Sequence, residues 1–371
     1  MRAGAFIISA TLVLGCLPSG SPNAPTAVAV ADLNGDGRLD LVVANDGTND
    51  LAVLLGRAGG SFGHPTLLGV PSRPNALAVQ DFNGDGHADL AVVSFDTGTL
   101  SVFLGNGDGT FAPRVDYQNE ASTSAPTSLA AADLRGDGHE DLVVTNSGPA
   151  TVGVFLGRGD GTFETGLDYS TGASGAAPSS VAVGDLDGDG RLDLAVANYG
   201  ANTVSLLFGN GDGTFRTGAE FATGSGPMAI VATDLNGDKV LDLAVVNYND
   251  NTLSVFLGQG GGAYTRTDFQ LDTTPDDLVA ADFNGDGIPD LAVANYLVNS
   301  VSILLGRGDG TFAAQGDYPT GDLPSGIAVG DFNGDGRLDL AVANDGDGTA
   351  SVLLGKGDGS FERPATYVAG P

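Results

Sequence analysis

One acidic nine-residue phrase occurs seven times in this chain at nearly constant spacing. A chain built this way folds as seven copies of one unit. The first copy reads Asp32-Leu33-Asn34-Gly35-Asp36-Gly37-Arg38-Leu39-Asp40. The others begin at Asp81, Asp133, Asp185, Asp234, Asp282 and Asp331, so successive starts lie 49, 52, 52, 49, 48 and 49 residues apart. Such periodicity marks a repeat architecture, in which each unit buries its apolar face on its neighbours.

Short oxygen donors stand at positions 1, 3, 5 and 9 of the phrase. They are Asp32, Asn34, Asp36 and Asp40; Asp81, Asn83, Asp85 and Asp89; Asp133, Asp137 and Asp141; Asp185, Asp187, Asp189 and Asp193; Asp234, Asn236, Asp238 and Asp242; Asp282, Asn284, Asp286 and Asp290; and Asp331, Asn333, Asp335 and Asp339. In a tight loop these side chains converge on one hollow, and hard oxygens at that density suit calcium. Position 6 is Gly in six copies, which permits a sharp turn. Position 7 varies freely (Arg38, His87, His139, Arg191, Val240, Ile288, Arg337), as expected of a residue contributing its backbone carbonyl. An EF-hand fits poorly, because position 12 is apolar, as at Val43, where that loop needs a bidentate Glu. The metal-free alternative is an Asx-rich turn, and seven copies of the cluster, six of them with all four donors, argue against it. Two copies depart from the pattern. Arg135 holds position 3 of the third, where its cation is expected to pair with Asp133, Asp137 or Asp141 and replace the ion. Lys239 holds position 6 of the fifth, where a Cβ at positive φ strains the loop. The expected load is five to six Ca2+ ions.

A second phrase follows each first one. In copy one it is Leu54-Leu55-Gly56-Arg57-Ala58-Gly59-Gly60-Ser61-Phe62, and the others end at Phe111, Phe163, Phe215, Tyr264, Phe312 and Phe361. Its Gly and Asp residues predict a hairpin. The unit then reads as four strands, in copy four 180–186, 194–198, 204–209 and 215–221. Apolar runs such as Leu194-Ala195-Val196-Ala197 suit strands covered on both faces. Four-stranded units of this length predict an all-β, seven-bladed β-propeller with calcium-binding loops. The chain has no Trp, against WD40 repeats, and kelch repeats lack the acidic loops. An open solenoid is the structural alternative.

The Asp-x-Asn-x-Asp-Gly-x-x-Asp phrase makes the chain resemble the FG-GAP, or VCBS, repeat proteins and the integrin α-subunit propeller. The resemblance covers all seven repeats, with the name-giving elements present loosely, as in Phe208-Gly209 and Ala177-Pro178. It implies a seven-bladed propeller with calcium between the first two strands of a blade. It does not imply one activity, since adhesion receptors, lectins and lyase-like enzymes share the pattern.

The formal net charge is −31, but the seven loops hold 22 Asp, nearly half of the 46 acidic residues, and calcium would offset them there. The remaining acidity argues against nucleic acid as a partner. Arg2, the apolar residues 3–14 and the lipobox-like Val13-Leu14-Gly15-Cys16 predict a signal peptide over 1–15, a lipid-modified Cys16, a tether over 16–25 and the propeller over 26–371. An ordinary secretory signal is the alternative. Either reading places the domain outside the cytoplasm, with membrane contact only through the anchor.

Up-and-down blades put the acidic loops and Gly-rich hairpins on one face. The other face carries the variable connections, including longer segments at 119–126 and 170–178, where binding residues tend to lie. Tyr199, Tyr248 and Tyr296 recur there in three successive blades. Exposed, they would form an arc for stacking sugars; otherwise, and more in keeping with general packing, they lie between blades. Two Arg-Gly-Asp tripeptides, Arg158-Gly159-Asp160 and Arg307-Gly308-Asp309, fall inside hairpins and read as turns. No Ser-His-Asp set, zinc spacing or phosphate loop stands out. The expected function is therefore non-enzymatic binding of a glycan or protein. The alternatives are a lyase-like, polysaccharide-active enzyme and a purely structural module.

Overall fold

The computed structural model describes residues 21–118, 125–172, 175–271 and 274–370. The expected signal peptide, Cys16, the first part of the tether and most of segment 119–126 lie outside the described residues. Among the described residues no helix is long and apolar enough to cross a membrane.

The repeat unit is a four-stranded antiparallel sheet, and seven such sheets follow one another along the chain as blades 1 to 7. Their first strands are Pro25–Ala31, Pro74–Gln80, Pro126–Ala132, Pro178–Gly184, Pro227–Thr233, Pro275–Ala281 and Pro324–Gly330. Each packs on the first strand of the next blade, and the seventh packs on the first, so the ring is closed and the first strands line its axis. The open solenoid is excluded. Each second strand begins at position 9 of the acidic phrase and is buried throughout, as the continuous apolar runs required.

In blade 4 the strands are Pro178–Gly184, Asp193–Asn198, Thr203–Gly209 and Phe215–Ala222. The first ends two residues earlier than the sequence suggested. Asp193 Oδ2 accepts the Leu186 N–H at 2.9 Å and draws that residue into the loop. It also starts earlier, because Pro178 pairs opposite Asn198 across a bulge.

Among the described residues no strand is exchanged between the first and last blades. Blade 7 is built from residues 324–368 and blade 1 from 25–69. The closing seam uses the same contacts as the others. Ser325 Oγ donates to the Pro25 carbonyl at 2.8 Å, as Ser179 does to Pro227 at 2.7 Å. Tyr367 of blade 7 meets Phe62 of blade 1 edge-on at 5.3 Å. The same edge-to-face pair joins Tyr117 to Phe163, Tyr169 to Phe215, Phe221 to Tyr264, Phe269 to Phe312 and Tyr318 to Phe361. Each is an outer-strand ring against the hairpin ring of the next blade. Such pairs contribute about 0.5–1.5 kcal/mol beyond area burial.

The two repeated phrases lock together at a glycine. In blade 4, Gly209 donates its N–H to Asp193 Oδ1 at 2.8 Å. A Cβ on Gly209 would sit 2.1 Å from the Leu192 carbonyl oxygen. Gly209→Ala should therefore cost about 3 kcal/mol, the upper end of the overpacking range. Equilibrium urea unfolding of the variant checks this.

Candidate functional site

Backbone N–H groups draw the acidic side chains inward. In blade 1, Asp36 N–H donates to Asp32 Oδ1 and Asn34 Oδ1, Gly37 N–H to Asp32 Oδ2, and Arg38 N–H to Asp36 Oδ1, at 2.8–3.2 Å. The same bonds recur in blades 2, 5, 6 and 7. In blade 4, Asp185, Asp187 and Asp193 each offer an oxygen within 4.8 Å of the others.

The position-9 Asp is fully buried in all seven blades. In blade 1 its two oxygens accept N–H groups from Leu33 at 2.9 Å and Gly56 at 2.6 Å. It thus joins the loop to the third strand's end as well as facing the cage. Burial, with added repulsion from loop carboxylates in every blade but the third, pushes these groups above the usual carboxylate range, and Asp339 rises to about 6. An all-oxygen donor set whose members repel one another when empty fits a hard divalent cation.

Blade 3 is built differently. Arg135 lies across the loop, with Nη2 3.0 Å from Asp141 Oδ1 and Nη1 3.2 Å from Asp137 Oδ2. Nη2 also donates to the Gly157 carbonyl. The guanidinium thus lies among the acidic side chains of its own loop. Asp133 takes no part in these pairs; its oxygens accept the Asp137 and Gly138 N–H groups. In blade 5 Lys239 has φ +69°, the left-handed conformation its place demands, and still makes the N–H bond to Asp234.

Three features were not read from the sequence. Arg216 pairs with Asp187 Oδ2 at 3.0 Å and stacks over Phe208, so a second guanidinium engages a loop carboxylate. Position-7 side chains cover the hairpin, since a Cβ on Gly107 would meet the His87 ring at 2.4 Å. The hairpin tips also bridge blades, as Gly109 N–H donates to Leu33 O and Gly161 N–H to Phe82 O. Among the described residues such bonds couple the loops of blades 1, 2, 4, 5 and 6 to the next blade.

The face opposite offers less than its variability suggested. Tyr296 is 4 % exposed, and its hydroxyl donates to Asp345 Oδ2 at 2.9 Å. It presents no face for stacking, which corrects the arc reading at that residue. Tyr199 and Tyr248 are half-buried against the core between blades 5 and 6, and Tyr199 reaches Asn249 at 3.4 Å. Asn198, Asn247, Asn295 and Asn344 are buried and bond to third-strand hydroxyls. In both Arg-Gly-Asp hairpins the Asp accepts bonds from the following Thr, as a turn residue does.

On the acidic-loop face a cavity of about 450 Å³ opens at the axis, lined by strand ends that include Val30, Val79, Ala281 and Val329. Gln80, His87, Asp32 and Asp81 supply its polar edge. The last residue of each first strand is Ala31, Gln80, Ala132, Gly184, Thr233, Ala281 or Gly330, so all but Gln80 are small.

The family model described as FG-GAP-like repeat matches residues 32–92, 81–144, 136–196, 185–245, 234–293, 282–342 and 331–371. No curated protein matches the chain. Among solved structures it is similar to a virginiamycin B lyase from Staphylococcus aureus, at 17% identity and TM-score 0.62, covering 92% of this chain and 96% of that one. It is also similar to a putative 6-phosphogluconolactonase from Bacteroides uniformis, at 16% identity and TM-score 0.64, covering 94% and 97%. A lectin from Agrocybe aegerita that recognises non-reducing terminal N-acetylglucosamine matches at 21% identity and TM-score 0.57, covering 98% and 94%. These likenesses concern the fold.

Proposed function

This chain belongs to the FG-GAP-like repeat family, and from that premise we propose that it is a calcium-braced propeller that binds a ligand without transforming it. The observation that carries this reading is the axial cavity on the acidic-loop face, within the size range of small-molecule sites. The Asp and Asn side chains at positions 1, 3 and 5, with the position-9 Asp behind them, would hold Ca2+ in blades 1, 2, 4, 6 and 7. Blade 5 would hold it more weakly because of Lys239, and Arg135 takes its place in blade 3. The ion would neutralise the gathered carboxylates and fix the loops around the cavity mouth. Sites of this kind fill where calcium is plentiful, which agrees with an extracytoplasmic location reached by secretion or by a lipid anchor at Cys16.

Apolar walls edged by one amide, one imidazole and the Asp32 and Asp81 carboxylates suit a sugar residue or an inserted protein loop, and the chain's acidity opposes nucleic acid. A lyase-like enzyme is the second reading, favoured by His87 and Asp81 at the same cavity. A glycan and polysaccharide array with a parallel turnover assay, with and without calcium, separates the two. Binding without turnover, abolished by a cavity-filling Val79→Trp with an unchanged melting temperature, is the expected result. Calcium-dependent product formation favours the enzyme, and a ligand indifferent to Val79→Trp removes the cavity from the account.

A further inference from the structure

The axis carries a second regular feature at the end opposite the cavity. Each first strand opens with Pro, and the next residue points at the neighbouring blade. Thr26 Oγ1 donates to the Pro74 carbonyl at 2.8 Å, Thr127 Oγ1 to Pro178 at 2.7 Å, Ser179 Oγ to Pro227 at 2.7 Å, and Ser325 Oγ to Pro25 at 2.8 Å. Asn75 Nδ2 does the same to Pro126 at 3.3 Å. Five of seven blades thus place a neutral hydrogen-bond donor at this position. Blade 5 has the apolar Met228.

Blade 6 has Asp276, which is fully buried, and neither of its oxygens has a hydrogen-bond partner. The equivalent bond would run to the Pro324 carbonyl of blade 7. A carboxylate cannot make it, because a carbonyl offers no proton. Nor do the surroundings suit a charge. Asp277 and Asp345, both buried, act on Asp276 as like charges, and Tyr248 of blade 5 feels it in turn. Asp277 is already engaged, its Oδ2 accepting the Ile327 N–H of blade 7 at 2.9 Å. Asp345 takes the Tyr296 hydroxyl. No cation is among the groups acting on Asp276 in the described residues. Nor do these carboxylates converge closely enough to form a metal cluster there.

We infer that Asp276 is held as the neutral acid, that its hydroxyl donates to the Pro324 carbonyl as the sixth bond of this ring, and that the seam between blades 6 and 7 is therefore sensitive to pH. Burial first, then Asp277 and Asp345, also push the carboxyl far above the usual carboxylate range. A group whose folded pKa is raised contributes stability that is complete below its unfolded value, near 4, and is lost as pH rises towards the folded one. Above that, a bare carboxylate faces a carbonyl and two other acids, and the seam loosens.

The test compares wild type with Asp276→Asn and Asp276→Ser, the side chains that fill this place in blades 2, 4 and 7, by thermal melts across pH in saturating calcium. Near pH 5 the three proteins should melt alike. Towards pH 9 the wild type should fall progressively behind both variants by several degrees. Infrared spectra of the calcium-loaded wild type at neutral pH should show a protonated carboxyl band that Asp276→Asn lacks. Melting curves that stay parallel across pH overturn the inference. So does a wild type that gains on the variants as pH rises, which would mean a bound cation. Should neither variant fold, the infrared band of the wild type decides: its presence at neutral pH and loss at higher pH supports the inference, and its absence overturns it.

Discussion

Chelating calcium should lower the unfolding midpoint of this protein by roughly 20 °C. The expectation follows from the loops. Each full loop crowds three or four carboxylates, and the position-9 group of each is buried. A ligand bound only by the folded form stabilises it by about 2.7 kcal/mol at a hundred times its dissociation constant. Six such sites, set against an unfolding entropy of about 2.1 cal/mol/K per residue, give a shift of that size. The hairpin tips that bond to the loops of blades 1, 2, 4, 5 and 6 should make the loss cooperative between those blades and their neighbours. Calorimetry in excess calcium and in excess chelator measures it, and coincident transitions would remove the metal from the account.

Asp193→Ala costs about 3–5 kcal/mol even in chelator. Its side chain accepts N–H groups from Leu186, Asp187 and Gly209 at 2.8–3.2 Å and is fully buried. Truncation orphans backbone donors that water cannot reach, each worth about 1–3 kcal/mol. Asp193→Asn keeps one acceptor and should lose less. Denaturant unfolding of both variants without metal separates this framing role from metal binding, since a pure ligand residue would show no cost once calcium is gone.

The seven blades were legible because each acidic phrase is local. Its spacing, its Gly and the Leu that follows specify a turn into a buried strand with no help from the rest of the chain. The position of Arg135 was legible for the same reason, since it competes within its own loop. What joins the blades was not. Tyr367 reads as one more outer-strand aromatic until the ring closes and sets it against Phe62. Ser325 and Pro25 are 300 residues apart and become partners only through closure. Arg216 gave no signal towards Asp187, because strand register across a hairpin decides that contact. Tyr296 shared its local pattern with Tyr199 and Tyr248, and its burial depends on Asp345 of the next blade. The axial cavity depends on small strand ends converging from blades far apart in sequence.

Counting ions bears most directly on the claim that the acidic loops are calcium sites, with Arg135 standing in for the metal in the third. Metal analysis of the purified protein in saturating calcium should find five or six ions per chain, and Arg135→Asn, which restores the donor at position 3, should bind one more. Seven ions in the wild type, or none, or an unchanged count in Arg135→Asn, would contradict it.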